Sequence, residues 1–180
     1  MIRIADSALV LLIGASGSGK STFASRHFAA ETVISSDQLR GALAGDEADQ
    51  QATDAAFARL HQWLDARLAA GALAVVDATN VEWMRRTEIV RRARQHGRSA
   101  TAIAFDLPLE LCLARNAARS RSVRAAVVRR QHDELRRGLD RLDLEGFTAV
   151  YVLRSDGEIE GAVVQIEKGP GRPGPLTTTG

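Results

Sequence analysis

Eight consecutive residues, Gly14-Ala15-Ser16-Gly17-Ser18-Gly19-Lys20-Ser21, carry the pattern G-x-x-x-x-G-K-[ST]. The setting is the one that pattern needs. The apolar run Leu9-Val10-Leu11-Leu12-Ile13 before it reads as a buried strand, and Thr22-Phe23-Ala24-Ser25-Arg26 after it opens a helix. The glycines let the backbone curl so that successive N–H groups point at phosphates, and the helix N-terminus adds the positive end of its dipole. Lys20, read as an exposed loop lysine, would reach the β- and γ-phosphates of ATP or another nucleoside triphosphate. The Ser21 hydroxyl would ligate Mg²⁺. The segment from Gly14 to Thr22 is therefore the expected nucleotide-binding loop.

Such a loop alone leaves kinases, switch GTPases and motor ATPases open. Ser35-Ser36-Asp37-Gln38-Leu39-Arg40 narrows the choice, because it puts a carboxylate at a strand end and an arginine about one helical turn later. Asp37 could accept a proton from an attacking hydroxyl while Arg40 holds an acceptor phosphate. Equally, Asp37 could cap a short helix with Arg40 in solvent, or serve both roles. Val75-Val76-Asp77-Ala78-Thr79-Asn80 resembles a Walker B strand, in which Asp77 either holds Mg²⁺ through water or aims Arg40. A motor ATPase would place glutamate directly after that aspartate, where Ala78 stands, and no N-K-x-D guanine motif occurs. Arg115, Arg119 and Arg121 follow the fourth core strand, where kinases carry a lid whose arginines neutralise the transferring phosphoryl group. From Arg124 onward the arginines read as solvated surface charge.

Strands alternating with helices must position these groups. Strands are expected over 9–13, 31–35, 73–76, 101–105 and 147–153, with a short segment over 2–4 and an edge strand over 163–166. Helices are expected from Thr22, over 38–43, 54–70 and 82–95, from Pro108, and over 124–142, with a polar loop over 44–51. This order gives an α/β fold with a parallel five-stranded core sheet, helices on both faces and ligands at the carboxyl ends of the strands. Gly14, Asp37, Asp77 and Asp106 all fall there. His61 reads as helix packing or a core hydrogen bond, and Trp63 and Trp83 as helix packing.

At 180 residues, 45% hydrophobic and 26% charged, the chain has the composition of one water-soluble domain. It has no apolar run of membrane-spanning length and no secretory pattern at its start. Its single cysteine, Cys112, reads as a buried packing thiol, which fits a cytoplasmic location. A domain over 1–167 is expected, followed over 168–180 by a Gly/Pro/Thr-rich tail or linker.

The loop with Phe23-Ala24, Val33-Ile34-Ser35-Ser36-Asp37 with Arg40, Asp49-Gln50 before Phe57, and Val75-Val76-Asp77-Ala78-Thr79-Asn80-Val81 together resemble a known family. So do Cys112 with Arg115-Asn116, and Leu144-Glu145-Gly146-Phe147. It is the 5′-end-healing kinase domain of bacterial polynucleotide kinase-phosphatase, a P-loop kinase. The resemblance runs from about Leu9 to Leu153. It implies transfer of the γ-phosphate to the 5′-OH of RNA or DNA in end healing or repair. It implies Lys20 and Ser21 at phosphate and metal, Asp37 as general base, Arg40 on the acceptor phosphate, and Arg115 with Arg121 in the lid. It also sets Gln50 and Asp77 on the acceptor side. In that family further phosphoesterase and ligase-like domains follow, and the tail fits either a module cut at its linker or a free-standing kinase. Two other readings stand beside it: a phosphotransferase acting on a small-molecule or antibiotic hydroxyl, and a nucleotide-binding module that regulates a partner.

Overall fold

In the computed structural model, residues 1–35 and 50–169 are described. Asp37 and Arg40, the expected helix over 38–43 and the tail beyond Gly169 lie outside them. Of Gln50, the first residue of its helix, only the backbone is described. The sheet is built around β2 (Leu9–Gly14), buried along its whole length. A strand buried on both faces must be apolar throughout, as this run is. It lies between β4 (Ala74–Asp77) and β5 (Ala100–Phe105). The flanks are β3 (Val33–Ser35) and β6 (Ala149–Leu153), in the order β3-β4-β2-β5-β6, with every pairing parallel.

Alternate residues of β2 feed two cores. Val10 and Leu12 pack with Phe23 of α1 (Lys20–His27), Cys112 of α4 (Leu109–Ala117) and Val128 of α5 (Ala125–Gly138). Leu9, Leu11 and Ile13 pack with Leu60, Leu64 and Leu68 of α2 (Gln50–Ala69) and with Ile89, Val90 and Ala93 of α3 (Trp83–Gln95). The expected α/β architecture is the observed one.

Several boundaries differ. Helix α2 begins at Gln50, four residues before the expected start, because Gln50, Gln51 and Ala52 are polar or small yet good helix formers. The helix expected over 124–142 ends at Gly138 and passes into a 3₁₀ segment, Leu139–Leu144, since glycine is a poor interior helix residue. The edge strand β7 (Val164–Glu167) joins β1 (Ile2–Ala5) in a separate parallel pair instead of extending the main sheet. A short helix, α6 (Asp156–Glu160), had no sequence expectation behind it. Trp83 is a further correction. It is the first residue of α3, one turn ahead of the buried stripe Arg86, Ile89, Val90 and Ala93, and is 58% exposed.

Arg86 itself is buried, only 1% exposed. Its Nη1 donates to the carbonyls of Asn80 (2.9 Å) and Val81 (2.6 Å), its Nε donates to Glu145 Oε2 at 2.6 Å, and its Nη2 bonds Glu145 Oε1. Removing one partner of a buried pair strands the other charge without solvent, at about 3–5 kcal/mol. Glu145→Ala is therefore expected to lower the melting temperature by roughly 10 °C in a chain of this size. A melt within about 2 °C of the parent would show that the pair contributes little.

Candidate phosphate-binding site

The loop between β2 and α1 is shaped by its glycines. Gly17 and Gly19 have φ of +84° and +92°, a region side chains avoid. A Cβ on Gly17 would also lie 2.1 Å from the Cys112 carbonyl oxygen, so α4 packs directly against the loop backbone. Gly19 caps α1 with no side-chain hydrogen bond, and no acidic residue occupies the first turn. No side chain caps this helix start among the described residues, and the dipole end there favours an anion. Ala15, Ser16 and Ser18 are buried beneath the loop, while Ser21 and Thr22 are exposed at its mouth.

Lys20 departs from the sequence reading. It is 7% exposed, with Nζ donating to the Ala15 carbonyl at 2.8 Å and to Ser18 Oγ at 3.2 Å. The ammonium is folded back across the loop that its backbone helps to form.

On one side, Asp77 ends β4, in register with Leu12 of β2 and Ser35 of β3. The turn after it is strapped to the loop strand. Gly14 N donates to the Thr79 carbonyl at 2.9 Å, and Asn80, at φ +48°, donates from Nδ2 to the Leu12 carbonyl at 2.8 Å. Asp77, buried, thus stands at the carboxyl edge of the sheet beside the loop.

On the other side stand the end of α4 and the segment that follows it. Arg115, in the last turn of α4, pairs with Asp156 Oδ1 at 2.8 Å, and its Nη1 lies 4.0 Å from where a Cβ of Gly19 would be. A cleft of about 340 Å³ lies there, lined by the loop, Thr22, Arg26, Arg115, Arg119 and α6. Arg119 lines it; Arg121 is exposed and does not. Asn116, buried, closes the neck of the segment between α4 and α5. Its Nδ2 donates to the Val123 carbonyl at 2.7 Å, and its Oδ1 accepts from Val123 N at 3.1 Å. From α5, Gln131 Oε1 accepts from the loop amide Ser16 N at 2.9 Å. The segment between α4 and α5 is therefore pinched at its base by Asn116, and α5 is bonded to the phosphate loop through Gln131.

Asn116, Gln131 and Asp156 did not stand out as site residues in the sequence. For α6 a signal was present. Ser155-Asp156-Gly157-Glu158 is a capping pattern, and Ser155 Oγ accepts from Glu158 N at 3.2 Å. For Gln131 there was none. A part-buried hydrogen bond of its kind contributes about 1 kcal/mol to stability, so Gln131→Ala is expected to lower the melting temperature by roughly 2–4 °C and to weaken nucleotide binding by at most about fivefold. Equilibrium titration with ATP, beside a thermal melt, measures both.

Two expectations hold. Cys112 is buried, and that burial pushes its thiol pKa up, with Lys20 and Arg115 opposing, which suits packing and not nucleophilic chemistry. His61 is partly buried in a polar group with Arg92, Glu88 and Asp65, and burial followed by the Arg92 charge lowers its pKa.

The residues present fit a nucleotide phosphate: an uncapped helix start, left-handed glycines, and a lysine and an arginine flanking one cleft. They also fit Mg²⁺, which keeps most of its waters and uses one or two protein oxygens. Among the described residues no group of three or more His, Cys, Asp or Glu forms a metal cage.

Fold and site together define a P-loop, kinase-like phosphotransferase fold. Within it, the chain belongs to the AAA domain family designated AAA_33, whose profile matches residues 9–142. No curated protein matches the chain. Among solved structures, a chain of the Pnkp1/Rnl/Hen1 RNA repair complex superposes with a TM-score of 0.68, at 20% identity. It covers 79% of this chain and 48% of its own. A chain of a second Pnkp1/Rnl/Hen1 complex gives 0.55 at 25% identity, over 65% and 41%. A sugar kinase from Janibacter sp. HTCC2649 gives 0.57 at 21%, over 82% and 84%. This chain therefore spans about half or less of the two repair-complex chains.

Proposed function

We propose that the protein is an ATP-dependent polynucleotide 5′-kinase. The observation that carries the reading is the placing of Lys20 and Arg115 about one cleft at the mouth of the phosphate loop. Transfer of a phosphoryl group needs cations on it from more than one direction. The nucleic-acid acceptor is supported by the Ser35-Ser36-Asp37 and Arg40 pattern, by Val76-Asp77-Ala78-Thr79-Asn80, and by the likeness to the RNA repair complex chains.

In this reading Lys20 swings from Ala15 and Ser18 onto the β- and γ-phosphates, and the α1 amides hold the remaining oxygens. Ser21 would hold Mg²⁺, whose contribution is to neutralise charge on the triphosphate. Asp37 takes the proton from the attacking 5′-OH as its oxygen bonds the γ-phosphorus and the bond to the β-phosphate oxygen breaks. Arg40 holds the neighbouring acceptor phosphate, with Gln50 and Asp77 on the same side. Arg115 leaves Asp156 to neutralise charge on the transferring group, with Arg121 as the second lid arginine.

A second reading, a kinase of a small hydroxylated metabolite, draws on the Janibacter sugar kinase, of which this chain covers 84%. Incubation with Mg²⁺, γ-labelled ATP and a 5′-OH oligonucleotide separates them. Label on the oligonucleotide is expected. Label on small hydroxyl compounds alone selects the second reading, and binding without any turnover would leave only a regulatory nucleotide-binding module. Within the first reading, Arg115→Ala is expected to slow single-turnover transfer on the order of 10³-fold. A change confined to the ATP dissociation constant would remove Arg115 from the lid.

A further inference from the structure

From Leu111 to His132 the chain holds Arg115, Arg119, Arg121, Arg124, Arg129 and Arg130, and no aspartate or glutamate. The structure divides that block. Arg115 and Arg119 line the cleft beside the phosphate loop. Arg124, Arg129 and Arg130 do not. They are exposed on the cap and first half of α5. Among the described residues only Glu110 comes within ion-pair range of this trio, 3.9 Å from Arg129, and Glu110 is itself largely exposed. Arg124 and Arg130 have no side-chain partner among the described residues. A structural surface charge is normally interleaved with acids, as Arg137 is with Glu134 further along the same helix.

The block is also continuous with the catalytic loop. Gln131, which bonds Ser16 N, follows Arg130 directly. The Arg130 Cα is thus about 3.8 Å from that of a residue touching the phosphate loop. A nucleoside triphosphate is already faced by Lys20, Arg115, Arg119 and the α1 amides. Three more guanidiniums outside the cleft call for a longer anion, and arginine's planar fork suits phosphodiester oxygens.

We infer that Arg124, Arg129 and Arg130 form a track for the phosphodiester backbone of a single-stranded nucleic acid whose 5′ end enters the site. This rests on the 5′-kinase reading and assigns the surface that holds the rest of the acceptor.

The test compares the full chain with its R124Q/R129Q/R130Q variant by fluorescence anisotropy on a labelled 5′-OH 20-mer across a salt series. Each single-strand phosphate contact contributes about 0.7 to the slope of log affinity against log salt. The variant is expected to lose about 2 from that slope, whereas an R124K/R129K/R130K variant keeps it. Phosphorylation of the 20-mer should fall far more than that of a nucleoside 3′-monophosphate. An unchanged slope in the glutamine variant, or no binding of the 20-mer by the parent, overturns the track and leaves the arginines for an acidic protein surface or for solvent. Failure of the kinase reading shows separately, as absent phosphorylation of both acceptors by the parent, whatever the binding slope.

Discussion

Lys20→Ala is expected to abolish phosphoryl transfer while the protein remains folded. Among the described residues Lys20 is the one cation seated inside the loop, and its Nζ has only short rotations to make from Ala15 and Ser18 to a bound phosphate. Its burial makes the substitution costlier than at an exposed lysine, because the Ala15 carbonyl and Ser18 hydroxyl lose their donor. That loss is about 1–3 kcal/mol, against a typical domain stability of about 5–15 kcal/mol. The measurement is single-turnover transfer from γ-labelled ATP beside a thermal melt of the same sample. Near-parent turnover in a folded variant would sink the phosphotransferase reading as a whole.

Asp37→Asn is the second large effect, and it separates catalysis from helix capping. Asparagine caps a helix about as well as aspartate, so a purely structural Asp37 predicts an almost normal enzyme. An unperturbed aspartate, with a pKa of about 3.9, is ionised near neutral pH and able to accept a proton, which asparagine cannot do. As general base, Asp37 predicts a folded, ATP-binding variant slowed roughly 10²–10⁴-fold. An intact rate with an intact melt returns Asp37 to capping. A lost rate with an intact melt and undiminished ATP affinity supports proton transfer. Arg40→Ala should resemble neither, weakening use of the oligonucleotide while leaving ATP binding alone.

What could be read from the sequence was whatever local chemistry determines. A five-residue apolar run closed by a glycine-rich turn has the length and flank of a buried strand, and Gly17 and Gly19 are needed where φ is positive. Together with the lysine and hydroxyl that follow, they identify a phosphate loop before any contact is known. The alternation of strands with helices likewise pointed to a parallel sheet, while the central place of β2 in the order came from the structure. Boundaries slipped where propensity and pattern disagree, as at Gln50 and Gly138.

The tertiary structure alone decided which distant residues meet. Gln131 reaches Ser16 across 115 positions, Arg86 reaches Glu145 across 59, and Arg115 reaches Asp156 across 41. None of these pairs has a spacing that local geometry could reveal, because each is made when crossovers of the parallel sheet bring separate helices to its carboxyl edge. The same closure turned Lys20 inward, since its carbonyl and hydroxyl partners are set by how the loop curls. It left Trp83 outside, one turn beyond the stripe that packs on the sheet. Residue types named the chemistry, and the packing of helices over one sheet edge chose which arginines face the loop and which face solvent.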